Sequence, residues 1–178
     1  MPESISLGGI SLRRPQPSDA EDVFEYGSDP EVARFADWPA QTAVEPIVEL
    51  IHDRAARWES GEEFYWVIVE AGADRAIGGV SCRIEGDAAE IGYLVNRKFW
   101  GKGYATMAAG AVVRRLIATR AVRRVWATCD AENLASVRVL EKLGMTRELV
   151  LERKKVRPNI GPEPRDAFLY SLTPRSES

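Results

Sequence analysis

The chain has 178 residues, 45% of them hydrophobic and 29% charged, with a formal net charge of −3 at pH 7. This supports one compact domain over residues 1–178 and excludes a disordered chain; the slightly acidic balance also speaks against nucleic-acid binding, which draws on a basic surface. The opening MPESISLGGISLRR lacks a long apolar run, so neither a membrane span nor an export signal is expected, and the cytoplasm is the expected compartment.

Residues 10–14 (ISLRR) read as a strand stopped by Pro15 and Pro17. Ser18 is placed to cap a helix through AEDVFEYGS, with Glu21 three residues on as the acidic half of a capping box. Asp29-Pro30 breaks the chain, and residues 31–42, with Phe35, Asp37, Trp38 and Pro39, read as a loop or short helical turn. From Val44 to Trp58 the apolar residues Ile47, Ile51, Ala55 and Trp58 recur at helical spacing, and Ser60-Gly61 ends that helix. Three strands follow, residues 64–71, 76–84 and 89–95, joined by turn-rich pieces into an antiparallel meander. The period then changes. Over 103–118, Ala105, Ala108, Ala109, Val112, Val113 and Leu116 share one helix face, with Arg114 and Arg115 on the other. A strand over 123–129 leads to a helix from about Asn133 to Leu143, with Gly144 placed just beyond its C-cap. Two last strands are expected over 145–153 and 166–173; between them VRPNIGPEPR, with three prolines and a glycine, reads as a loop. The order β-α-α-β-β-β-α-β-α-β-β thus predicts seven strands and about four helices, an α/β chain of the α+β type.

Two cysteines and one histidine limit the chemistry. Cys82 and Cys129 lie in apolar, strand-like segments and read as buried reduced thiols rather than a disulfide. The same counts speak against a zinc site, and no metal is expected. His52 sits in the helical pattern IVELIHDRAARW with no GxSxG elbow elsewhere, so a Ser–His–Asp triad finds no support. An enzyme built on this chain needs a different base.

The most informative stretch is Glu90 to Ala105, EIGYLVNRKFWGKGYA. A strand runs through a loop into Gly101-Lys102-Gly103 and then a helix. Two glycines at that spacing let backbone approach a ligand closely, and the free N–H groups of the helix start suit a pyrophosphate, with Lys102 adding charge. The segment lacks the Walker pattern and supplies only half of a dinucleotide fingerprint, so alone it leaves plain loop punctuation open. A second stretch, Asp130 to Met145, begins a helix at Asn133, where Asn is an ordinary cap, and places Ser136 one turn later on the same face, followed by Leu140.

Together WGKGYAT and, some thirty residues on, NLASVRVLEKLGM resemble the GNAT superfamily of acyl-CoA transferases. The chain looks most like the branch of ribosomal-protein N-terminal acetyltransferases. The resemblance extends to ISLRRPQPSDAEDVFEY, the Asp29-Pro30-Glu31-Val32 turn, AIGGV, EIGYLV and DAFLYSL. It implies a mixed, mostly antiparallel sheet split near its middle by acetyl-CoA. It implies that the strand of Tyr93, Leu94 and Val95 pairs with the pantetheine arm, that Lys98, Phe99, Trp100, Gly101, Lys102, Gly103, Tyr104 and Ala105 surround the pyrophosphate, that Asn133 hydrogen-bonds near the pantetheine, and that Lys142 reaches toward the nucleotide phosphates. Glu90 matches the strand acid that serves some members as general base, and Ser136 would stand near the thioester sulfur. Lys98 replaces the family's frequent Arg or Gln, Leu140 replaces a frequent tyrosine acid, and Thr128 replaces a strand glutamate.

On this resemblance the expected reaction is N-acetylation by direct attack of a primary amine, a peptide N-terminus or a small amine, on acetyl-CoA. Phe35, Asp37 and Trp38 are candidate acceptor contacts, although aromatics at such positions also serve as core. Glu90 as a solvated strand residue and Ser136 as a small packing residue are the structural alternatives. A non-catalytic CoA-binding domain, a longer acyl group such as succinyl, and an unrelated nucleotide-binding module stay open as readings. No nucleic-acid or membrane partner is expected; a homodimer is compatible with the sequence.

Overall fold

Residues 64–69 of Glu63–Glu70 (β3) and 76–80 of Ala76–Glu85 (β4) are apolar at every position, the pattern of strands covered on both faces. In the computed structural model, which describes residues 1–119 and 121–173, these two stand third and fourth in the sheet. Around them stand β1 (Ser4–Ser6), β2 (Ile10–Arg13), β5 (Ala88–Val95), β6 (Arg124–Asp130), β7 (Thr146–Arg157) and β8 (Gly161–Leu172). The helices are α1 (Ala20–Gly27), α2 (Pro30–Ala33), α3 (Glu45–Ser60), α4 (Tyr104–Ala118) and α5 (Leu134–Lys142). Among the described residues the sheet therefore has eight strands, in the order β1-β2-β3-β4-β5-β6-β8-β7, and it is antiparallel except between β5 and β6. No helix among the described residues is long and apolar enough to cross a membrane.

The eight strands and five helices exceed the seven and about four expected. The additions are β1, three residues paired to β2 at the sheet edge, and α2, a single turn started by Asp29, whose carboxylate accepts the Glu31 N–H at 2.9 Å. Both are too short to show a period. The cap expected from Ser18 and Glu21 is displaced: Pro17 opens a 3₁₀ turn through Asp19, so Asp19 becomes the N-cap of α1, and its carboxylate accepts the Gln16 N–H at 2.7 Å. The expected loop VRPNIGPEPR is mostly strand. Only residues 158–160 turn between β7 and β8. Pro162 and Pro164 are tolerated because β6 pairs with β8 only from Ala167 onward, which leaves one side of residues 161–166 without a neighbouring ladder.

The apolar face of α4, with Ala108, Ala109, Val112, Val113 and Leu116, packs on Ile91, Val125 and Ala127, all buried. Trp58, Phe64 and Trp66 extend this core, Trp58 meeting the other two edge-on at 5.1 and 5.0 Å. On the opposite sheet face Ala20, Val23 and Tyr26 of α1 and Ile47 and Ile51 of α3 form a second cluster that Leu94 joins. Cys82 and Cys129 are free and buried. α4 and α5 thus lie behind the sheet and α1 and the first turns of α3 in front, with Trp58 at the end of α3 reaching the core that α4 packs on.

Candidate active site

Strands β5 and β6 pair through only three positions, Ala88 with Arg124, Ala89 with Val125 and Glu90 with Trp126. Beyond Glu90, β5 keeps its ladder with β4 and β6 keeps its ladder with β8, but the two no longer bond each other. The facing backbone groups of residues 91–95 and 127–130 therefore border a wedge-shaped slot. Buried backbone donors and acceptors require partners, so this slot suits an extended molecule that carries amides of its own. Gly78 keeps β5 on the β4 side: a Cβ there would lie 2.5 Å from the Leu94 carbonyl oxygen.

At the open end of the slot the chain turns. Asn96 accepts the Lys98 N–H through its side chain at 3.0 Å, and the Trp100 indole donates to the Val95 carbonyl at 2.7 Å. Gly101 and Gly103 then take φ of +80° and +79°, which non-glycine residues adopt only with strain. Gly103 is the N-cap of α4, and no side chain among the described residues caps that helix start. The first N–H groups and the dipole end of a fifteen-residue helix therefore face outward, a site for a phosphate or pyrophosphate. Phe99, Tyr104 and Ala105 are half-buried beside it, and Trp100 is 50% exposed. The two ammonium groups are engaged elsewhere: Lys98 on Glu25 at 2.9 Å, and Lys102 on Glu70 at 3.4 Å and over the Phe99 ring at 4.8 Å.

Across the slot, the Tyr93 hydroxyl lies 2.8 Å from the Ser136 Oγ and donates to the Ser136 carbonyl at 3.2 Å, joining β5 to the first turn of α5. Burial pushes the Tyr93 phenol well above its ordinary range, so it remains protonated, a donor at neutral pH. Burial also pushes the neighbouring Cys129 thiol up to about 11, despite the charge of Arg157 and a hydrogen bond with Ser136. Asn133 caps α5 by accepting the Ser136 N–H at 3.1 Å, and Lys142 is exposed in the last turn of the same helix. Glu90 stands at the vertex where the strands part. Burial raises its carboxyl above the usual range, outweighing the opposite pull of Arg83, 3.4 Å away, and of Lys155. Asp37 is close enough for its charge to add to that rise.

The front wall is a loop held by a hairpin. Phe35 and Trp38 are half-buried and Asp37 is exposed in the segment between α2 and α3. Asn159, in the β7–β8 turn, accepts the Ala40 N–H at 2.8 Å and donates to the carbonyls of Ala33 at 2.7 Å and Trp38 at 2.9 Å. Asn159→Ala removes all three bonds and is expected to destabilise the protein by about 1–3 kcal/mol, with faster proteolytic cleavage between residues 33 and 40 as the local readout. Thermal unfolding and limited proteolysis check this. Tyr93 as a side-chain donor, Lys155, Arg157 and Asn159 escape sequence reasoning, because each acts across a pairing that no local period reveals.

A family model described as an acetyltransferase (GNAT) domain matches residues 10–146. The probable N-acetyltransferase YjcK of Bacillus subtilis (strain 168) is 38% identical over 146 residues, 80% of this chain and 77% of its own. Among solved structures, the microcin C7 self-immunity acetyltransferase MccE in complex with acetyl-CoA and AMP superposes with a TM-score of 0.87 at 22% identity, covering 97% of each chain. The ribosomal L7/L12 α-N-protein acetyltransferase RimL in complex with coenzyme A gives 0.86 at 20% identity, covering 96% of this chain and 98% of that one.

Proposed function

The chain belongs to the GNAT acetyltransferase family and takes acetyl-CoA as its co-substrate, and on that premise we propose that it acetylates a primary amine, the N-terminal α-amine of a protein or a small amine, by direct attack. The observation that carries this reading is the slot between β5 and β6, which opens at one end on the uncapped α4 N-terminus and closes at the other on Glu90. Residues 91–95 offer backbone partners to the pantetheine amides, and Gly101 to Ala105 offer N–H groups to the pyrophosphate. RimL, by name an acetyltransferase of a ribosomal protein's α-amine, shares the architecture, and the proposed acceptor class follows that likeness.

The nucleophile must be neutral. An α-amine with a pKa near 8 is partly so at pH 7, whereas a lysine amine near 10.4 is almost wholly protonated, so the former asks less of the protein. Glu90, lifted by burial toward neutral pH, receives the amine's proton directly or through a water. A backbone N–H at the end of β5 stabilises the carbonyl oxygen as charge develops. Tyr93 and Ser136 present a protonated hydroxyl pair to the departing sulfur, in the role that the family's frequent tyrosine acid leaves vacant at Leu140. The test combines free-thiol detection with mass spectrometry over a panel of acetyl-CoA plus peptides with different first residues, lysine-bearing peptides and small amines. The expected result is thiol release matched by one acetyl group gained on the acceptor, with α-amines preferred. Thiol release no faster than hydrolysis across the whole panel would overturn the reading.

A further inference from the structure

Arg157 ends β7 inside the protein: it is 5% exposed, and its Nε has no hydrogen-bond partner among the described residues. Its nearest anion is Asp130, whose Oδ2 lies 3.7 Å away. That carboxylate is already taken, because Arg165 donates to it at 2.9 and 3.2 Å and the Glu132 N–H at 3.0 Å. A buried guanidinium with so little compensation is an unusual expense in a folded protein unless another anion completes it. Arginine is also the side chain best shaped to grip a carboxylate or phosphate with two parallel bonds.

The position of Arg157 says where that anion comes from. Along β7 and its turn, Lys155, Arg157 and Asn159 are covered, whereas Lys154, Val156, Pro158 and Ile160 are exposed. The covered set faces the slot and its front wall: Lys155 acts on Glu90, Arg157 on Asp130 and Cys129, and Asn159 holds the loop of Phe35, Asp37 and Trp38. Arg157 therefore sits on the acceptor side, beyond the point where β6 leaves β5, and away from the phosphate cradle at α4.

We propose that Arg157 anchors an anionic group of the acceptor, so that the preferred substrate carries a carboxylate a few bonds from the amine that is acetylated. The proposal rests on the acetyl-transfer reading of the slot. Two sources share this chemistry, the α-carboxylate of a free amino acid and an acidic side chain on the first residue of a peptide.

Equilibrium binding to the protein saturated with coenzyme A, in which no transfer occurs, tests the proposal apart from catalysis. One pair is alanine against alaninamide; the other is an aspartyl dipeptide amide against its asparaginyl counterpart. The acid of one pair is expected to bind about 10–100-fold more tightly than its amide, and the pair that shows the difference identifies the source. Arg157→Gln should bring the acid-to-amide ratio close to one, and Arg157→Lys should restore part of it. Retained coenzyme A affinity in each variant shows that the slot is intact. Equal affinity within both pairs for the wild-type protein, including no measurable binding by any probe, overturns the proposal, as does a preference that survives Arg157→Gln. Failure of the acetyl-transfer reading shows up separately, as absent thiol release.

Discussion

Glu90→Gln is expected to lower kcat by about 10²–10⁴-fold, the usual contribution of a positioned general base, while the affinity for coenzyme A stays within a few-fold of wild type. The carboxyl sits at the vertex of β5 and β6, and the slot proposed for the cofactor arm begins only beyond it, at residues 91–95. On the proposed reading its side chain meets the reacting end and not the arm. Burial raises its pKa, so the base form is lost as pH falls through a value above the ordinary glutamate range. The acidic limb of the kcat/KM profile should appear there and vanish in the glutamine variant. The linkage to stability has the opposite sense. A carboxyl whose folded pKa is raised contributes stability below the unfolded pKa and loses it as pH rises through the folded value, so the wild type carries a penalty at neutral pH that glutamine relieves. Glu90→Gln should unfold at the same temperature as the wild type or slightly above it at pH 7, which separates lost catalysis from lost structure. A variant that keeps wild-type kcat removes Glu90 from the mechanism.

Local chemistry made part of this site legible and topology hid the rest. Gly101 and Gly103 announced a tight turn before a helix, and both take positive φ at the start of α4. Asn133 announced a helix start and caps α5. Both signals lie within a few residues of what they control. The slot itself depends on β5 and β6 pairing for three positions and then separating, which follows from where β4 and β8 hold them and leaves no trace in either strand's alternation. Tyr93 and Ser136 are 43 positions apart. Strand alternation places the Tyr93 backbone but says nothing about what its hydroxyl meets. The hairpin was obscured for another reason. Prolines and a glycine between Val156 and Arg165 have the composition of a loop, yet only Pro158 lies in the turn, while Gly161, Pro162 and Pro164 lie in a two-stranded extension where a missing N–H on the open side is harmless. A loop reading of that stretch hides Arg157 and Asn159, and with them the hairpin that holds the front wall.

Asp130→Asn is expected to destabilise the fold by about 3–5 kcal/mol, the range for breaking a buried ion pair from one side. Asp130 is 1% exposed. Burial alone would raise its carboxyl, but the hydrogen bonds from Arg165 and the Glu132 N–H, with the charges of Arg165 and Arg157, hold it below the ordinary range. An amide of the same shape turns an NH₂ group toward the Arg165 guanidinium or surrenders one of its bonds, and it deprives the buried Arg157 of its anion among the described residues. For a chain of this length each kcal/mol lowers Tm by about 2–4 °C, so a fall of roughly 6–20 °C is expected in thermal unfolding at pH 7. The pH dependence follows from the depressed pKa. The carboxylate's contribution is present above the unfolded value near 3.9 and is lost as pH falls through the folded one; the gap between wild type and variant should be full at pH 7 and close only in strong acid. The double variant Asp130→Asn with Arg157→Gln adds a second measurement. Removing the stranded cation should recover part of the loss, so the two substitutions should combine to less than their sum. Additive losses would mean that Arg157 does not feel Asp130, and a single-variant loss under about 0.5 kcal/mol would mean that water reaches the cluster and screens it.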